Sequence, residues 1–196
     1  MSKLSSSKTK ILLAGPQGSG KTTQAKFIAQ KYGLHFISAG KLLRELAQSG
    51  SEEGERIRQQ MEEGEFVDDK VAARLVKEEI EKDSQNGFVL DGFPRRFSQL
   101  EYFNPDFDQV IYLDVPDGEV VDRMLGRGRA DDTPEAIGER LRLYHSNTEP
   151  VLDYYDRQGK LIKVNASQAP GATAEQSIRQ IADEVDEKLK DGLGDK

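Results

Sequence analysis

Gly15-Pro16-Gln17-Gly18-Ser19-Gly20-Lys21-Thr22-Thr23 is the stretch that decides how this chain is read. It follows a short apolar run, Ile11-Leu12-Leu13-Ala14, and precedes a helical pattern carrying Ala25, Phe27, Ile28 and Ala29. This is G-x-x-x-x-G-K-[ST] set between a strand and a helix, the context in which the pattern has a mechanism. Closely spaced glycines let backbone wrap a phosphate without Cβ clashes, and successive N–H groups face the concavity. A helix opening near Lys21 adds its positive dipole end. Gly18, Ser19, Gly20, Lys21, Thr22 and Thr23 are thus the candidate phosphate-binding residues. Lys21 would reach the β- and γ-phosphates of a nucleoside triphosphate, and Thr22 offers a hydroxyl to Mg²⁺.

Downstream, apolar runs and helical periods alternate. Gly33 is placed to end the first helix, and Leu34 to Ser38 reads as a second strand. The Leu42, Leu43 and Leu46 stripe marks a helix, Ser51 caps a second running to about Glu63, and Asp68 or Asp69 caps a third. The short helices after the second strand form a small lobe able to swing over a sheet edge. Phe88-Val89-Leu90-Asp91 suits a buried parallel strand with a carboxylate at its carboxyl end, the ligand end of such sheets. Asp91 is therefore placed to hold Mg²⁺ through water.

Gln109 to Val115 is a fourth strand, Asp117 a cap for the helix behind it, and Leu161 to Asn165 a fifth strand. Arg123, Arg127, Arg129 and Arg140 cluster between them, with Thr133 as a cap and Pro134 at a first helical position. Behind a phosphate loop, such planar and permanently charged donors suit a transferred phosphoryl group. Glu149-Pro150 suggests a kink, and a last helix spans about residues 173 to 190 before a fraying end. His35 reads as a surface residue, and His145 has no evident partner. The expected fold is α/β: a five-stranded parallel sheet with helices on both faces, in one domain.

Composition narrows the function. The 196 residues carry a net charge of −7, which argues against broad nucleic-acid binding. With no cysteine there is neither a thiol nucleophile nor a cysteine-bound zinc site. No apolar run reaches the roughly 18 residues of a membrane span. Residues 1–9 read as a disordered tail without a signal-peptide core, so a cytoplasmic setting is expected. No apolar stripe is left over, which favours a monomer.

Four motifs in order carry a resemblance over about residues 10 to 190. They are the phosphate loop, Ser38-Ala39-Gly40 with Leu42-Leu43-Arg44, Asp91-Gly92-Phe93-Pro94-Arg95, and Arg123 through Arg140 with Gly128-Arg129-Ala130-Asp131-Asp132. With them the chain resembles the nucleoside monophosphate kinases, the adenylate kinases above all. The resemblance implies a P-loop fold, Mg·ATP as donor and a monophosphate, AMP first, as acceptor. It implies a monophosphate-binding lobe over residues 38–67 and a very short lid over residues 126–132, without zinc. Ala39, Arg44, Glu65, Phe66, Val67, Gly92, Arg95 and Gln99 would hold the acceptor, with Gln99 reading adenine. Arg123 would pack on the donor adenine near Gln168, and Arg127, Arg129 and Arg140, with Lys21 and Arg95, would clamp the phosphoryl in flight.

Some residues depart from the family pattern. Thr22 stands where glycine is usual, Lys41 where an acidic residue is usual, and Ala39 where threonine is commoner. Ser-Ala-Gly also resembles the UMP/CMP kinases, which keeps a pyrimidine acceptor open as an alternative. A P-loop regulatory module is a more distant one, since it would leave the arginine cluster idle.

Overall fold

Side chains alternate across the first strand, and that alternation sorts the core into two layers. In the structure, a computed structural model, residues 8–83, 85–129 and 131–193 are described. Residues 1–7 of the expected tail, Ala130 of the expected lid and residues 194–196 lie outside the described residues. Strand β1 (Thr9–Ala14) leads through the phosphate loop into α1 (Lys21–Tyr32). Next come β2 (His35–Ser38), α2 (Ala39–Ala47), α3 (Glu52–Glu62) and α4 (Asp69–Lys82). Strand β3 (Gly87–Asp91) is followed by α5 (Phe97–Tyr102) and β4 (Gln109–Asp114). The rest is α6 (Asp117–Arg127), α7 (Pro134–Leu143), a π-helical turn (Tyr144–Thr148), α8 (Glu149–Arg157), β5 (Leu161–Asn165) and α9 (Ala174–Leu193).

The five strands form one sheet in the order β2-β3-β1-β4-β5, every pair parallel. Ile11 and Leu13 face a layer with Ala25 and Ile28 of α1, Val120 and Met124 of α6, and Val185 and Leu189 of α9. Leu12 and Ala14 face the other layer, with Ala72 and Val76 of α4 and Val151, Leu152 and Tyr155 of α8. The period of two in the strand and the apolar stripes of the helices thus meet on both sides.

Local chemistry sets the helix ends. Gly33 adopts the left-handed conformation that closes α1. The Ser38, Ser51 and Thr133 hydroxyls accept from Lys41, Gly54 and Ala136 N–H groups, and the Asp68 carboxylate accepts from Lys70 and Val71. Pro116, not Asp117, occupies the cap position of α6; Asp117 is its first residue, where a carboxylate favours the dipole.

Other expectations are corrected. Thr9 is buried in β1 and is no part of a tail. Helix α5, only 6 residues long, is too short to show a period and was not expected. Helix α9 runs on to Leu193 through residues expected to fray. The expected kink at Glu149-Pro150 is instead the π-helical turn ahead of it. There the Ser146 hydroxyl and the Asn147 amide donate to the Arg142 and Leu143 carbonyls, 2.9 and 3.2 Å away, competing with the backbone ladder. Pro150, which has no N–H to donate, then falls in the first turn of α8, directly behind the π-helical turn.

Candidate active site

The strands end in Ala14, Ser38 and Asp91 along one edge, with Asp91 in register with Leu13 and with Ser38. That carboxyl edge is the floor of a cleft of about 290 Å³. The phosphate loop runs across it. At Gly18 φ is 86°, and an added Cβ would lie 2.9 Å from the Met124 side chain. Gly18 therefore lets the loop lie directly against α6, the helix that carries Arg123.

Lys21 donates to the Pro16 carbonyl at 2.6 Å and to the Ser19 hydroxyl at 3.4 Å. Its ammonium is thus folded back over the loop. Burial, with Arg95 and Arg127 adding, pushes its pKa down to about 8, and Asp91 opposes them. Thr22 donates to the Asp91 carboxylate at 2.6 Å. These hard oxygen donors fit Mg²⁺, which takes one or two carboxylates together with substrate phosphates and water.

Across the cleft the arginines fall into two groups. Arg127 donates through Nε and Nη2 to the two oxygens of Asp132. Arg140 donates to Asp132 at 2.8 Å, to Asp131 at 2.7 Å and to the Met61 carbonyl at 2.9 Å. The Asp132 and Arg140 side chains are only 1% and 6% exposed, while Arg127 at 26% reaches the surface. Arg127 and Arg140 hold the Asp132 carboxyl below its usual range against the upward push of burial. Gly128, at φ 62°, caps α6, and the chain turns back at once to Asp132. Arg95 differs, donating through Nε to the Gly92 carbonyl at 3.1 Å. Burial pulls its pKa below the ordinary value, Arg140, Arg44 and Arg127 add to that, and Asp91 opposes it. Burial and the neighbouring Arg127 and Arg44 lower Arg129 in the same way.

Of the residues expected from sequence, Gly18, Gly20, Lys21, Thr22, Thr23, Asp91 and Arg123 line the cleft on the loop side. Ala39, Arg44, Glu65, Phe66, Val67, Gly92, Arg95 and Gln99 line it on the lobe side. Arg127, Arg129 and Arg140 complete the lining. Gln99 is buried, and its Oε1 accepts the Arg95 N–H at 2.7 Å. Arg123 donates to the Ala166 carbonyl at 2.9 Å and pairs with Glu119. Ser19 lies beneath the loop as a partner of Lys21 and does not line the cleft.

Gln168 does not line the cleft either. Its N–H donates to Glu119 and its side-chain amide to the Ala172 carbonyl at 2.6 Å. His145 does have partners: Asp117 at 2.9 Å and Glu149 at 2.8 Å, whose hydrogen bonds raise its pKa. Sequence reasoning missed the roles of Asp131 and Asp132, though two carboxylates following the arginines were the available signal. It also missed Thr148, the last residue of the π-helical turn, whose hydroxyl donates to the Arg95 carbonyl at 2.8 Å.

A phosphate loop, an aspartate beside its threonine and converging guanidiniums over one cleft define a P-loop phosphotransferase acting on nucleotides. Comparison with known proteins narrows this. A family model described as adenylate kinase matches residues 13–160. The adenylate kinase of Encephalitozoon cuniculi is 36% identical over 175 residues, covering 88% of this chain and 98% of that one. That of Leptospira biflexa is 39% identical, covering 80% and 90%, and that of Methanosarcina barkeri 33%, covering 92% and 98%. The chain belongs to the adenylate kinase family and is a nucleoside monophosphate kinase.

Proposed function

We propose that this enzyme reversibly transfers the γ-phosphoryl of Mg·ATP to AMP, giving two ADP. The observation that carries the reading is the convergence of Lys21, Arg95, Arg127, Arg129 and Arg140 on the same cleft as the phosphate loop. Thr22, and Asp91 by way of water, would hold Mg²⁺, which when bound would supply charge neutralisation at the donor phosphates. Lys21 leaves the Pro16 carbonyl to follow the transferred group, and the loop amides hold the donor in place. Arg95, Arg129 and Arg140 hold the group's equatorial oxygens, and the lobe and lid exclude water. Positioning and positive charge suffice because the transferred phosphoryl is loose and anionic, so no catalytic base is required.

Gln99 supports adenine as the acceptor base. The Arg95 N–H can only donate, so the atom facing it is Oε1, and the other end of the amide is a donor. A donor suits an unprotonated ring nitrogen, which adenine and cytosine both offer, and opposes the N–H of uracil. Zinc has no part in this reading. A monomeric, cytoplasmic enzyme is part of the same proposal and is checked by size-exclusion chromatography and cell fractionation. A coupled assay with ATP and each monophosphate tests the function. ADP formation with AMP as the best acceptor is the expected result; a preference for CMP or UMP, or binding without turnover, overturns it.

A further inference from the structure

We propose that Arg96 positions the acceptor nucleotide by way of Phe66, an inference that rests on the phosphotransfer reading above. Arg96 follows Arg95 directly but does not line the cleft. Its Nε donates to Asp69 at 2.6 Å, and the Ser98 hydroxyl donates to the other oxygen of the same carboxylate at 2.5 Å. Its guanidinium carbon lies 4.8 Å from the centroid of the Phe66 ring, and Phe66 lines the cleft. A guanidinium can do both things at once, since one edge meets a carboxylate while its face covers an aromatic ring.

The arrangement is more than a surface ion pair. The Asp69 side chain is only 12% exposed and opens α4, whose dipole favours its charge. Asp69 and Ser98 thus fix the guanidinium, and the guanidinium fixes the ring. A ring already held does not lose rotamer freedom when the acceptor binds, and the gain appears as affinity. Arg95 is held by other groups, its N–H by Gln99 and its carbonyl by Thr148. Loss of Arg96 should therefore weaken acceptor binding without disturbing the chemical step. The contact also ties Phe66, near the end of the expected lobe, and Asp69, at the start of α4, to the segment after β3.

Steady-state kinetics of the full chain with ATP and AMP test this. Arg96→Ala should raise KM for AMP about 3- to 10-fold, the range of a half-buried cation–π contact, with kcat and KM for ATP within about twofold. In a Phe66→Leu background the same change should add nothing. If Arg96→Ala lowers the melting temperature markedly, Arg96→Lys, which keeps the charge but not the planar face, should show the same rise in KM. An unchanged KM for AMP, an equal fall in kcat, or an undiminished penalty in the Phe66→Leu background overturns the proposal. If the parent enzyme prefers another monophosphate, the ratios are read with that acceptor. A parent inactive with every monophosphate overturns the function itself, an outcome distinct from failure of the variants.

Discussion

Arg95 and Arg140 line the same cleft yet are held in opposite ways. Arg140 is bound to two carboxylates and a carbonyl, and its charge is neutralised within the protein. Arg95 is bound to a carbonyl, beside Lys21 and other arginines that disfavour its charge. The first is a structural joint that also lines the cleft. The second is a buried cation among other cations, with Asp91 the one carboxylate that favours its charge. One part of the cleft is therefore built for stability and another at some cost to it.

The sharpest way to break this contrast is at the uncompensated end. Arg95→Ala and Lys21→Met should each lower kcat on the order of 10³-fold or more, about 4 kcal/mol of transition-state stabilisation. Neither should lower the melting temperature of the free enzyme, because each removes a charge the fold disfavours. Near-parent turnover in Arg95→Ala would remove that residue from the mechanism. At the compensated end the effect moves to stability. Asp132→Asn strips a buried partner from Arg127 and Arg140 and should cost roughly 3 kcal/mol in denaturant unfolding. A variant as stable as the parent would show that the triad is not the joint described.

The pH dependence sharpens the contrast further. The Lys21 pKa of about 8 lies below its ordinary value, so the ammonium is lost first in the folded state. Between about pH 8 and 10.5 the unfolded chain binds more protons, and this group makes the free enzyme more stable as pH rises. Over the same range kcat/KM for ATP should fall, since the neutral amine cannot hold phosphate. A profile flat through pH 9.5 would contradict the lowered value. The smallest effect belongs to His145. Its pKa is raised by Asp117 and Glu149, so its contribution is complete below about pH 6.5 and lost as pH rises through the folded value. Its side chain is 43% exposed, which limits the contribution. His145→Gln should cost under about 1 kcal/mol at pH 6 and less at pH 8.

Much of the fold and of the cleft lining was legible in the sequence, and the contrast itself was not, for identifiable reasons. The phosphate loop, the caps at Ser51, Asp68 and Thr133, and Asp91 at a strand end announce themselves because local chemistry dictates them. Arg95, Arg127, Arg129 and Arg140 could be picked out only together with that loop. Which arginines were already neutralised could not be read, because the answer depends on how Asp131 and Asp132 fold back. Thr148 and Arg96 were hidden for a similar reason: each acts across a contact that spacing does not reveal. The partners of Gln168, Glu119 and the Ala172 carbonyl, were hidden in the same way.

Gly128 carries one more consequence. Among the described residues nothing lies within 4 Å of where its side chain would begin, and a few residues later Asp132 ties back to both flanking helices. The bend is a seam pinned on either side. New sequence inserted there would meet open solvent, and the entropy of a longer loop grows only logarithmically with its length. A lineage or an engineer could enlarge the roof over the nucleotides at this point while leaving the bolts beneath it in place.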